Sequence, residues 1–298
     1  MKKGIIVIFV FMSITVLCCL AFAGQKNTGL SVFVSIIPQS YFVERIGGRH
    51  VYVETLVGEG QSPHTYEPSP QQMAKLSFAK IYFTIGVPFE KNLIKKIKQV
   101  HKKLVIVETQ KGVVYRYLEN HRHDAEEKTV DLHHKKIPDP HIWMDPKLVK
   151  VQAGNIHDAL CRLDPGNAMN YSANLNVFMS DIDRVDKRIA TVLAPLKGSK
   201  IYVFHPAFGY FADSYGLHQV PIEIEGKEPG ARQLAAVINR AKKDGVRVIF
   251  VQPQFSTKSA ETIAKAIGGV VVPINPLAVD YLENLERIAS GINKGLNR

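Results

Sequence analysis

Seven apolar residues limit what this chain can become. Tyr171, Leu175, Phe178, Ile182, Val185, Ile189 and Val192 recur at spacings of 4, 3, 4, 3, 4 and 3. That is one continuous stripe along a single α-helix. Asp164-Pro165 supplies an N-cap and a proline at the first helical position, and Pro195 and Gly198 end the pattern. A helix over residues 165–194 would be about 45 Å long at ~1.5 Å per residue. A rod of that length either runs along two lobes as a spine or pairs with another helix. A coiled coil needs more heptads with charged flanks, so the stripe predicts a spine.

On both sides of the spine, short β-branched runs alternate with helical patterns. Strands are expected at residues 30–36, 51–57, 80–85 and 104–107, with helices at 38–47, 69–79 and 89–100 between them. After the spine the scheme repeats: strands at 200–204, 218–224, 246–251 and 270–272, helices at 207–215, 230–243 and 257–267, and a last helix from Tyr281 to about Asn293. The order predicts an α/β fold of two lobes, each a four-stranded parallel sheet flanked by helices and joined by the spine. The halves share an element order and no residue-level repeat.

The chain has 298 residues, with 38 Lys+Arg, 27 Asp+Glu, 11 His and 3 Cys. Met1-Lys2-Lys3, an uncharged apolar stretch from Ile5 to Leu20 and Ala21-Phe22-Ala23 form the pattern of a secretory signal peptide over residues 1–23. An uncleaved membrane anchor and lipidation near Cys18-Cys19 are the other readings of that segment. Cleavage removes Cys18 and Cys19, leaving Cys161 in an apolar helical pattern, and lowers the net charge from +11 to +9. A disulfide framework and a four-cysteine zinc ribbon are thereby excluded. The domain boundaries follow: a first lobe at 24–163, the spine at 164–195 and a second lobe at 196–298.

Three histidines stand beside prolines at element junctions: His64 in Ser62-Pro63-His64, His141 in Asp139-Pro140-His141 and His205 in His205-Pro206. His64 and His205 follow strands, where parallel α/β folds place their ligands, and the neighbouring prolines restrict the backbone. Each alone reads as a helix-cap or core histidine, whereas three converging on one cleft read as a metal site. Three imidazoles need a carboxylate to complete a zinc tetrahedron. Asp280, Glu225 and Glu228 are the candidates, and Asp280 also fits a capping box with Glu283. His121, His123, His133 and His134 cluster within a polar segment, 119–136. It reads as a solvated loop or as an auxiliary, low-affinity metal-capture site.

The segments Ser62–Pro68, Asp139–Pro146, His205–Phe211 and Glu223–Pro229 together resemble the signature segments of the zinc/manganese solute-binding proteins of metal ABC importers. The resemblance is to the high-affinity zinc-binding type, and it runs in order through the whole chain after the signal. It implies a bilobed fold holding one tightly bound Zn²⁺ between the lobes. His64 and His141 would come from the first lobe and His205 and Asp280 from the second. It resolves Asp280 towards ligation and leaves Glu225 and Glu228 structural. Manganese-type relatives carry Glu where this chain has His205, so the nitrogen-rich set favours zinc.

The implied function is capture of Zn²⁺ in the periplasm by a non-enzymatic monomer. The cargo would pass to the membrane permease of a zinc ABC transporter, driven by its cytoplasmic ATPase. Rival readings are a manganese or iron carrier of the same fold, a zinc-dependent hydrolase and a surface adhesin. The hydrolase lacks a His-Glu-x-x-His segment. Nucleic acid is excluded as a partner, since export and the absence of an aromatic-basic motif argue against it. Because ligating histidines must be neutral, zinc affinity is expected to fall below about pH 6.

Overall fold

A computed structural model describes residues 29–118, 137–223 and 228–297. The expected signal peptide, the histidines of the 119–136 segment and Glu225 lie outside the described residues.

The first lobe contains β1 (Leu30–Ile36), α1 (Ile37–Gly47), β2 (Val51–Val57), α2 (Pro70–Leu76), β3 (Ile81–Thr84), α3 (Glu90–Val100) and β4 (Val105–Glu108). The second contains β5 (Lys200–Val203), α6 (Gly209–Tyr215), β6 (His218–Pro221), α7 (Ala231–Lys243), β7 (Val248–Val251), α8 (Lys258–Ile267) and β8 (Val270–Pro273). Between them run α4 (Pro146–Leu163) and α5 (Ala168–Leu193), and α9 (Tyr281–Leu296) closes the chain. Each lobe is a four-stranded, all-parallel sheet, ordered β2-β1-β3-β4 in the first and β6-β5-β7-β8 in the second. In both, the chain leaves the central strand in one direction and returns on its other side. The switch points between β1 and β3 and between β5 and β7 open crevices at the strands' carboxyl ends. Strand interiors such as Ile81–Thr84 and Val248–Val251 are buried throughout, as sheets covered on both faces require.

The spine is α5, preceded by a 3₁₀ turn at Pro165–Asn167 and followed by another at Ala194–Leu196. Two details differ from the sequence expectation. Asp164 does not cap the helix through a backbone N–H; its Oδ2 accepts from the Tyr171 hydroxyl at 2.6 Å and from Asn167 Nδ2 at 2.8 Å. Val192 is 37% exposed and Leu193 is fully buried instead. A stripe averaging 3.5 residues drifts on a 3.6-residue helix, so the last contact moves one position on.

Helices α1, α4 and α9 pack on the spine. Phe178 sits 6.0 Å from the rings of both Tyr41 and Phe42, and Phe42 meets Tyr281 edge-on at 4.7 Å. One buried apolar cluster therefore runs from Phe33 and Phe83 of the first sheet through Phe178 to Phe250 of the second and Leu285 of α9. A smaller cluster, with Tyr202, Phe204, Ile249 and Ile263, lies under α7 and α8. Across the seam, the indole of Trp143 donates to the Pro276 carbonyl at 2.8 Å and the Tyr281 hydroxyl donates to the Trp143 carbonyl at 2.7 Å. Among the described residues, no helix is long and apolar enough to cross a membrane.

Candidate metal centre

His64 sits on the loop leaving β2. The Ser62 hydroxyl accepts from the His64 backbone N–H at 3.3 Å, and the loop is anchored one turn on by Tyr66, whose hydroxyl donates to Gln72. Gln72 is itself fixed: it forms a capping box with Ser69 and donates to the Leu56 carbonyl of β2 at 2.8 Å. His141 precedes a 3₁₀ turn, Ile142–Met144, that leads into Asp145, the N-cap of α4. Asp145 accepts from Lys147 N–H at 2.8 Å, and Pro146 takes the first helical position. His205 follows β5 at the second switch point. Gln252, at the end of β7, grips its backbone from both sides, accepting from His205 N–H and donating to His205 C=O, each at 3.0 Å.

These three junctions bring the imidazoles together. His141 Nε2 lies 3.3 Å from His64 Nε2 and 3.2 Å from His205 Nε2, and the three ligand atoms fall within 4.8 Å of one another. The far nitrogens of two rings are claimed by carboxylates. His141 Nδ1 is 2.7 Å from Asp139 Oδ1, and His205 Nδ1 is 2.6 Å from Glu223 Oε1. Those carboxylates assign the proton to Nδ1 and leave both Nε2 lone pairs facing each other, an arrangement that could hold a shared cation. The edges of a zinc tetrahedron built from nitrogen ligands are about 3.3 Å for Zn–N bonds of about 2.0–2.1 Å. The two spacings from His141 match that figure.

The surroundings of His64 and His205 favour their neutral forms. Burial, reinforced by repulsion from His141 and His205, pushes His64 down to about 2. Burial also lowers His205, against the opposing pull of Glu223. Asp139 is buried, which would raise it, yet His141 and Arg116 hold it below the usual carboxylate range. Apolar walls complete the site: Phe255 stacks on His205 at 4.6 Å, Trp143 meets His141 edge-on at 5.2 Å, and Pro276 and Leu277 line the same cavity.

Asp280 stands elsewhere. It precedes α9 without capping it through its side chain, and its carboxylate is gripped by Arg287 at 2.6 and 2.7 Å and is 44% exposed. Among the described residues the convergent group consists of His64, His141 and His205. Glu228 accepts from Ser259 at 3.2 Å. Asp139 and Glu223, which orient two of the rings, have no role in the sequence reading. Asp139 lies two residues before His141 on a proline-fixed turn, a spacing that carries the signal. Glu223 lies 18 residues from His205, just past the end of the neighbouring parallel strand β6, and has no such local signature.

Two parallel-sheet lobes on a rigid helix, with an imidazole cluster at their seam, define a solute-binding protein for metal ions. The chain belongs to the family described as "Zinc-uptake complex component A periplasmic", whose model matches residues 32–295. Members of that family are substrate-binding proteins of ABC importers and not enzymes, and this chain is one. It is 30% identical over 263 residues to the "High-affinity zinc uptake system protein ZnuA" of Bacillus subtilis, covering 86% of this chain and 81% of that one. It is 29% identical over 263 residues to the protein of the same name from Yersinia pestis, covering 83% of each. Against AdcA zinc-binding proteins of Streptococcus pyogenes it is 28% identical and spans 56% of their length. A crystal structure of ZnuA superimposes with a TM-score of 0.82 at 40% identity, over 90% of this chain and 99% of that one.

Proposed function

We propose that the mature chain captures one Zn²⁺ in the periplasm and hands it to the permease of a zinc ABC importer. His64, His141 and His205 hold the ion, and signal cleavage after residue 23 releases the protein. The observation that carries this reading is the triangle of Nε2 atoms, two of them with Nδ1 held by a buried carboxylate. Such a donor set is imidazole-rich and borderline-soft, which favours zinc over the harder manganese. The zinc-uptake names of its relatives support the same cargo.

The fourth position is filled by water, or by Asp280 once it leaves Arg287. The boundaries 24–163, 164–195 and 196–298 then have functional meaning: the first lobe brings two ligands, the spine fixes the distance, and the second lobe brings the third. His121, His123, His133 and His134 would add weak, exchangeable capture beside the main site. Metal analysis of the purified mature protein, followed by competition against a zinc chelator, tests the proposal. One tightly held zinc that outcompetes manganese supports it. Equal or tighter manganese binding points to a manganese or iron carrier and overturns it.

A further inference from the structure

Behind His141, on the side away from the other two rings, lies Asp139, which is fully buried and divides its two oxygens. Oδ1 accepts from both Nδ1 and the backbone N–H of His141, at 2.7 and 3.0 Å. Oδ2 accepts from Arg116 Nη1 at 2.8 Å. The same guanidinium reaches the other lobe, where Nε donates to Asp213 Oδ2 of α6 at 2.9 Å. Its backbone N–H donates to the Tyr210 hydroxyl at 3.1 Å, and that hydroxyl donates to the Asp139 carbonyl at 3.0 Å. The guanidinium also lies 5.9 Å from the Tyr210 ring centroid. Gly209 makes the crossing possible: a Cβ there would fall 1.6 Å from Arg116 Nη1 and 2.9 Å from Asp139 Oδ2.

We propose that Arg116 is a positioning residue of the metal centre, holding Asp139 against His141 and tying that hold to the seating of the second lobe. A carboxylate shared between an imidazole and a guanidinium cannot swing without breaking a charge-assisted bond, so Arg116 fixes the plane of the His141 ring. Arg116 reaches Asp139 and Asp213 through separate N–H groups of one rigid fork, a geometry that a lysine ammonium does not reproduce. Displacement of α6 relative to the first lobe pulls on that fork and loosens His141. The two lobes thereby influence the ion through a bond neither makes to it.

The inference rests on the three-histidine reading of the site, and the test separates the two. The mature protein and its Arg116→Gln, Arg116→Lys, Asp213→Asn and His205→Ala variants are compared by zinc competition, zinc release rate and the visible absorbance of the Co²⁺-loaded form. R116Q is expected to lose about 10–100-fold in zinc affinity and to shift the Co²⁺ bands. R116K recovers part of that loss, and decides the matter alone if R116Q does not fold. D213N, at a carboxylate 61% exposed, releases zinc faster by up to about fivefold. If R116Q, or R116K in its place, keeps the wild-type affinity and Co²⁺ spectrum and only melts earlier, Arg116 is structural and the proposal fails. An unchanged release rate in D213N removes the link to the second lobe. If H205A binds zinc as tightly as the parent, the site reading itself falls.

Discussion

Glu223 and His205 form a buried pair: Oε1 lies 2.6 Å from Nδ1, with side chains only 3% and 6% exposed. The carboxylate fixes the ring and raises the donor strength of the opposite nitrogen. Replacing Glu223 with Gln keeps the size and removes the charge. Zinc affinity is expected to fall about 10–100-fold, with little change in the cargo-free melting temperature. Chelator competition and calorimetric melting of the same samples check both halves.

Truncating a ligand has a larger effect. His205→Ala leaves two imidazoles and an opened pocket, and tight zinc binding should be lost. Equilibrium dialysis at a zinc concentration that saturates the parent protein reads the result directly. Retained stoichiometric binding would contradict the ligand assignment.

The metal-free protein should weaken in mild acid. His64 and His205 are lowered by burial. The unfolded chain's imidazoles therefore take up protons near ~6.5, where the folded ones do not. Stability is full above that pH and declines as pH falls through 6.5 towards the folded values. Between pH 7.5 and 5 the raised Glu90 carboxyl adds an opposing slope, which parent and variant share. A His64→Gln variant should therefore show a flatter stability profile in urea melts over that window.

Glu90 runs the other way. Burial raises its carboxyl to about 7, although the N–H groups of Ile85 and Gly86, at 2.9 and 2.7 Å, pull against the rise, as does Ser35. A raised folded value means stability that is complete below ~4.3 and lost as pH climbs through about 7. A Glu90→Gln variant does not titrate. Its stability relative to the parent should improve between pH 5 and pH 9 by up to about 3 kcal/mol. A pH-independent difference would show that Glu90 is already ionised in the folded protein.

Trp143 is the chain's single tryptophan, 1% exposed and edge-on to His141 at 5.2 Å. Zinc binding should change its emission with a one-to-one endpoint. Trp143→Phe should abolish the signal. It should also destabilise the protein by about 1–3 kcal/mol, because the buried Pro276 carbonyl loses its donor.

The frame was legible because it is written in local periodicity. The stripe from Tyr171 to Ile189 and the buried runs of β1 and β7 are repeats read within a few turns or residues. Elements missed their ends by one to three residues where tertiary contacts decide. Lys80 and Ile85, for example, fall outside β3. Of the site, the histidine junctions could be seen because proline marks them. The partners distant in sequence could not. Glu223 reaches His205 only through the pairing of β5 with β6, and Arg116 reaches Asp139 and Asp213 only once the lobes are seated. Asp280 shows the limit of motif reading: the same residue suits a cap, a metal or an arginine, and here the neighbour seven positions on holds it.

The apolar cluster that joins Phe83, Phe178 and Phe250 without a break determines the work of opening the molecule. Each 100 Å² of apolar surface exposed at the seam would cost about 2.5 kcal/mol. A gape of ~300 Å² would then be a thermal excursion of roughly one molecule in several hundred thousand. An ion held in the seam as proposed would therefore be guarded by rarity as well as by its ligands. Its exchange in free solution has to proceed through loop and side-chain rearrangements small enough to leave that shared core dry.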